Sequence, residues 1–223
     1  MGENTRTPLT GTGGEVRMTR TRGRTGRPPL TEERRAAIRL DIAHAAVSLF
    51  IAQGVAATTG DQIGQAVGVS ARTVWRYFPS KESCVQPLLT TGIDAIADTL
   101  RRWPPGRPLT EALDQLRTTH ADQPEQAPDI GALIRLTRTE PGLRAVWLQT
   151  HDEAEPAFAR ALAERAGLPA DDLRPTVQAA LLNAALRAAV EHHAWHTADP
   201  ATARTDLETA LRTALTIAAT GLV

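Results

Sequence analysis

The chain holds a single cysteine, a single lysine and a single tyrosine, and aromatic residues make up only 4% of its 223 positions. One thiol, Cys84, excludes a disulfide framework and any cysteine-only zinc site, and it suits a reducing compartment. Strand signals are nearly missing, because β-branched residues never alternate over a useful length. No unbroken run of about eighteen apolar residues is present, which excludes an obvious transmembrane helix. The N-terminal stretch is polar without an apolar h-region, so no secretory signal is expected, and Met18 is an alternative start. No Gly-rich phosphate loop follows a strand and no Ser-His-Asp arrangement can be placed, so catalysis is not expected. These absences together predict a cytoplasmic, water-soluble, helical protein that is not an enzyme.

What is present is charge, and it is sorted along the chain. Lys+Arg and Asp+Glu are equal at 25 each, giving no net charge. Residues 1–83, however, carry twelve basic groups against seven acids, and residues 84–223 carry thirteen against eighteen. A basic front and an acidic rear point to two tasks on one chain, the front facing a polyanion.

The helical period opens after Thr31, a plausible N-cap, with Glu32 and Glu33 in the first turn. Ile38, Ile42, Ala45, Ala46, Leu49 and Phe50 form one stripe, which Gly54 ends. Thr59 with Gln62 reads as a capping box for a short helix stopped by Gly68, and Ser70 caps a second over Ala71–Tyr77. Two short helices around a glycine turn are a helix-turn-helix candidate. In it, Ile63, Ala66, Val69, Val74 and Phe78 are expected to face Leu49 and Phe50, leaving Arg72, Thr73, Trp75, Arg76 and Tyr77 outside. Further helices are expected over residues 80–103, with Pro87 forcing a kink or an irregular first turn, and over 110–120, 128–138, 141–166, 173–196 and 200–220.

A short helix showing Arg72, Thr73, Trp75, Arg76 and Tyr77 suits a major groove. Arginine pairs with guanine, and hydroxyls hold phosphates. Lys81 sits where a helix start disfavours a cation, which a docked phosphate would explain. At this window the sequence resembles the tetracycline-repressor (TetR) family of one-component regulators. The matching residues are Phe50, Gly54, Thr58, Thr59, Ile63, Ala66-Val67-Gly68-Val69-Ser70, Thr73, Tyr77-Phe78 and Ser80-Lys81-Glu82. Where the family usually has Tyr or Phe, this chain has Trp75. The resemblance implies phosphate contacts from Thr59, Thr73, Tyr77 and Lys81, with Ser70, Arg72, Trp75 and Arg76 nearest the bases.

The Arg-rich arm, with Arg22, Arg24 and Arg27, is expected to be disordered and to reach DNA, either as a minor-groove reader or by unspecific attraction. The organisation is all-α: a basic arm over 1–29, a three-helix helix-turn-helix domain over 30–79 and a helical bundle over 80–223, which the resemblance implies is for ligand binding and dimerisation. In the rear, Pro141-Gly142-Leu143-Arg144-Ala145, Trp147, Ala161-Leu162-Ala163-Glu164-Arg165 and Asp172-Leu173-Arg174-Pro175 resemble a TetR subgroup described as having an acyl-CoA-like ligand domain. Candidate pocket residues are Leu89, Ile93, Ile96, Leu133, Leu136, Trp147, Leu148, His151, Asn183 and Arg187, suiting a small apolar or amphipathic ligand. The helix over 173–196 is apolar nearly all round, so it and the helix over 200–220 are expected to pair with their copies in a homodimer. No metal or other cofactor is expected: His192 and His196 lie one turn apart but lack a clear third ligand, and they suit a helix C-terminus. The implied function is a repressor that holds a palindromic operator and is released by a small molecule. The alternative is an architectural DNA-binding protein with no inducer.

Overall fold

The computed structural model describes residues 31–104, 107, 130–169, 171–196 and 203–220. These are helical with no strand among them, as the sequence predicts. The helices are α1 (Glu32–Gln53), α2 (Gly60–Ala66), α3 (Ala71–Tyr77), α4 (Gln86–Arg102), α5 (Ile130–Leu136), α6 (Pro141–Ala166), α7 (Leu173–His196) and α8 (Ala203–Thr220). The arginines expected to form a DNA arm (Arg22, Arg24, Arg27) and the helix expected over 110–120 lie outside the described residues.

The local signals act largely as read. Thr59 accepts from the Gln62 backbone N–H at 3.3 Å while Gln62 Oε1 accepts from the Thr59 N–H at 2.9 Å, a reciprocal cap at the start of α2. Gly68, at φ +70°, makes the turn into α3 in a conformation that side chains rarely adopt. Ser70 then caps α3 through the Thr73 N–H at 3.2 Å. Pro87 resolves the conflict at residues 80–103 by delaying the helix. Glu82–Val85 forms a 3-10 turn, Ser80 and Ser83 exchange hydrogen bonds at 3.1 Å, and α4 begins only at Gln86, with Pro87 in its first turn.

One expectation about the head's core is corrected. Ala66 is exposed, and Gly64 with the half-buried Val67 occupies that face of α2 instead. Ala66 stops about 60° short of a full turn from Ile63 and faces water, whereas Val67, about 40° past the turn, stays packed on the core.

Among the described residues, two apolar clusters hold the helices together. The first joins Ile42, Phe50, Ile63, Val74 and Phe78 of the head to Leu89, Leu133, Leu143, Trp147 and Ala194 of the rear helices. The proposed division between residues 79 and 80 therefore does not interrupt the packing, and Glu32–Val223 forms one compact unit. Full burial of a side chain such as Phe50 or Ile63 contributes roughly 1.5–3 kcal/mol. The second cluster, farther from the head, contains Ile93, Leu100, Phe158, Leu162, Leu182, Leu186 and Leu215. Helix α1 is long and apolar enough, by length and composition, to cross a membrane, but Arg39 and Asp41 interrupt it and its Ile42, Ala46, Val47 and Phe50 are core residues.

Candidate nucleic-acid interface and ligand site

Helix α3 buries only Val74 and turns Arg72, Trp75 and Arg76 to solvent, with Thr73 and Tyr77 half-buried. Of the five residues expected outside, Arg72, Trp75 and Arg76 are exposed, whereas Tyr77 packs against the first apolar cluster because helical rotation carries it round beside Thr73. Arg76 stacks over the Tyr77 ring at 5.1 Å, and Arg39 of α1 stacks over Phe78 at 5.3 Å. Trp75 is 44% exposed yet has a firm seat: its ring lies over Gly60 so closely that a Cβ there would fall 2.0 Å from Cζ2. The indole is aimed along the start of α2, and Gly60 is what makes room for it. The Ser70 and Thr73 hydroxyls pair with each other at 3.0 Å, and Thr59 stands exposed at the start of α2.

Lys81 does not stand free for phosphate. Its ammonium donates to the Val55 carbonyl at 2.5 Å, to Thr58 at 3.2 Å and to Ala56 at 3.5 Å. Three donors meet three carbonyls of the α1–α2 connection, which an ordinary loop would leave to water. The only lysine of the chain is therefore a clamp between that connection and the 3-10 turn. Beside it, α6 begins so close to the turn that a Cβ on Gly142 would come within 2.8 Å of Glu82 Cγ.

The rear interior is unusually polar. Glu191 of α7 is 7% exposed, and its carboxylate accepts from Arg144 at 2.5 Å, the Trp147 indole at 2.7 Å and Arg187 at 3.5 Å. Burial alone would push its pKa up, but the hydrogen bonds from Arg144 and Trp147 and the two guanidinium charges hold it below the usual range. One turn along α6, His151 is 5% exposed and meets the Trp147 ring edge-on at 4.2 Å between centroids. Asn183 of α7 binds His151 Nδ1 at 2.6 Å through Oδ1, and its amide nitrogen donates to the His151 carbonyl and to Glu155, both at 2.9 Å. Pro156, inside α6, removes the N–H that the Asp152 carbonyl would otherwise receive, so the α6 backbone is already interrupted here.

Of the candidate pocket residues, Leu89, Leu133 and Trp147 are buried in the first cluster and Ile93 in the second, with Leu136 and Ile96 packed at their margins. His151 and Asn183 are bonded to each other, and Arg187 pairs with Glu191. Leu148 is a correction: at 40% exposure it points away from this interior, because one residue beyond Trp147 is a rotation of about 100° on the helix. Sequence reasoning missed Glu191, Arg144 and Glu155. The signal for Glu191 was a lone acid in the helix over 173–196, following Asn183 and Arg187 at four-residue spacing on one side. Among the described residues, no group of three His, Cys, Asp or Glu could hold a metal. His192 and His196 stack on each other at 4.5 Å.

The outer side of α7 leaves Leu173, Val177 and Leu181 exposed, at 72, 47 and 48%, in line with exposed Ala184 and Ala188. On α8, Ile217 is 61% exposed.

A capped pair of short helices, the second presenting arginines, set on a bundle with a polar interior, defines a helix-turn-helix DNA-binding regulator. The sequence profile described as "Bacterial regulatory proteins, tetR family" matches residues 42–88, and one described as "MftR C-terminal domain" matches 104–222. The chain is 32% identical to the HTH-type transcriptional regulator TcmR of Streptomyces glaucescens over 173 residues, 74% of this chain and 76% of that one. Among solved structures it is similar in fold to Salmonella enterica GusR (TM-score 0.53, 20% identity, covering 84% of this chain and 96% of that one). It is also similar to Thermus thermophilus FadR, solved with lauroyl-CoA (TM-score 0.52, 22% identity, covering 83% and 95%). The chain belongs to the TetR family of transcriptional regulators.

Proposed function

We propose that this regulator binds a palindromic operator as a homodimer and represses transcription until a small molecule enters the rear bundle. The observation that carries this reading is the exposed cationic face of α3, Arg72 and Arg76 flanking Trp75, on a helix whose inner face is locked into the core. Arg72, Arg76, Trp75 and Ser70 lie nearest the bases in this reading. Thr59, Thr73 and Tyr77 hold phosphates, and Arg22, Arg24 and Arg27 add attraction from the arm. Lys81 moves from phosphate contact to support, since its donors are already engaged.

The apolar stripe on α7, with Ile217 of α8, supports pairing with a second copy, because an exposed row of large aliphatic side chains is costly in water. A two-fold dimer places two α3 helices about 34–36 Å apart, one turn of DNA. The ligand acts only by binding more tightly to a state whose heads are wrongly spaced. Helix α4, leading from the 3-10 turn past Leu89 and Ile93, is the element that would carry the shift. Arg165 holds its far end by donating to the Trp103 and Pro104 carbonyls at 2.6 Å.

The test is a footprint of the purified protein on DNA flanking its own gene, at defined salt. A protected, roughly palindromic site is the expected result. Salt-sensitive coverage with no site, there and across genome-wide bound fragments, would overturn it.

A further inference from the structure

His151 stands between the two apolar clusters, one turn after Trp147 and one before Glu155, and its Nε2 is buried with no hydrogen-bond partner among the described residues. Which kind of partner Nε2 needs follows from Asn183. The Asn183 amide nitrogen faces two acceptors, the His151 carbonyl and the Glu155 carboxylate. Reversing the amide would set its oxygen against both, so Oδ1 is the atom facing His151 Nδ1, and Nδ1 must carry the proton. Burial, aided by the Arg187 charge, pushes the imidazole below its ordinary pKa and so favours its neutral form, outweighing the opposing effects of Asn183, Glu191 and Glu155. Nε2 is then a bare lone pair. Leaving a buried acceptor unpaired is costly, and native interiors rarely tolerate it without a reason.

We infer that His151 Nε2 is the polar anchor of the ligand site, and that the ligand is a neutral, largely apolar molecule offering it a hydroxyl or N–H donor. This rests on the proposed reading of the rear bundle as ligand-binding. A carboxylate would meet the lone pair head-on and face Glu155 and Glu191 as well, while the nearby Arg187 is already drawn to Glu191. The Trp147 ring and the aliphatic side chains of the two clusters supply the apolar surroundings. Asn183 is a positioning residue, since it fixes the tautomer without needing to touch the ligand.

Calorimetric titration of the full chain with 2-naphthol, 2-methoxynaphthalene and 2-naphthoate tests the assignment. The naphthol is expected to bind at least about tenfold more tightly than the ether, which lacks only the donor, and the naphthoate is expected to bind no better than the ether. In His151→Phe the naphthol preference should fall to within about twofold, while Leu148→Ala, on the outer face, should retain it. If His151→Phe does not fold, the nitrogen resonance of His151 Nε2 in the 15N-histidine-labelled protein gives the readout: it should move with the naphthol and not with the ether. Equal binding of naphthol and ether, or a preference that survives His151→Phe, overturns the anchor and leaves the ligand-binding reading standing. Binding of none of the three probes overturns both, and the operator footprint remains independent of either result.

Discussion

The head and the rear bundle share one apolar cluster but treat polarity in opposite ways. In the head, buried positions are apolar apart from Thr58, the helix ends are capped by local side chains, and the arginines of α3 point outward. In the rear, Glu191, Asn183 and His151 are buried, and one imidazole nitrogen has no partner among the described residues. Polar groups facing water cost little and recognise a polyanion, whereas polar groups kept inside cost stability and make the interior sensitive to what binds there. In the proposed reading, this contrast gives rigidity to the face that meets DNA and responsiveness to the bundle behind it.

Four measurements break or sharpen this contrast, in falling order of effect. Replacing Arg72 and Arg76 with Ala should leave folding intact, since both are exposed. It should lower operator affinity by about a hundredfold and relax base specificity, with the salt slope little changed. In the rear, Glu191→Ala strands two guanidinium groups and the Trp147 indole. With Arg144 and Arg187 about 30% exposed, water recovers part of the loss, so urea denaturation should show about 2–3 kcal/mol of destabilisation. Lys81→Met separates support from phosphate contact: stability should drop by about 1–2 kcal/mol with the salt slope unchanged, whereas a phosphate-binding lysine would lower the slope by about one.

The smallest effect concerns pH. His151 has a folded pKa below its ordinary 6.5, so the unfolded chain takes up more protons below that value, and stability present above pH 6.5 is lost as pH falls. Glu191, also lowered, adds a second loss below its ordinary 4.5. Thermal midpoints measured from pH 8 to 4 should decline in this order, and His151→Phe should make the upper step shallower.

Much of the head was legible because its signals are local. Thr59 with Gln62, Ser70 and Gly68 fix the short helices within a few residues, and α3 has the expected bounds. The exposure of Arg72, Trp75 and Arg76 on α3 followed from helical rotation, but the packing of Tyr77 on the core did not. The seat of Trp75 on Gly60 and the grip of Lys81 on Val55 were not legible, because both join residues 15 or more positions apart. The same holds in the rear, where Arg144 reaches Glu191 across 47 residues and a periodic pattern cannot distinguish a buried acid from a solvated one. Leu148 failed for a simpler reason: apolar character was read where helical phase decides.

The most direct test of a two-headed, ligand-responsive dimer is the distance between the heads. Cys84 is buried, and burial pushes its thiol up to about 12, so a spin label attaches selectively to an introduced cysteine such as Gln65→Cys on the exposed side of α2. Pulsed electron-spin measurement on this protein should give one intermolecular distance that narrows in distribution on operator DNA and shifts when 2-naphthol is added. No intermolecular distance, or the same distribution in all three states, would contradict the account.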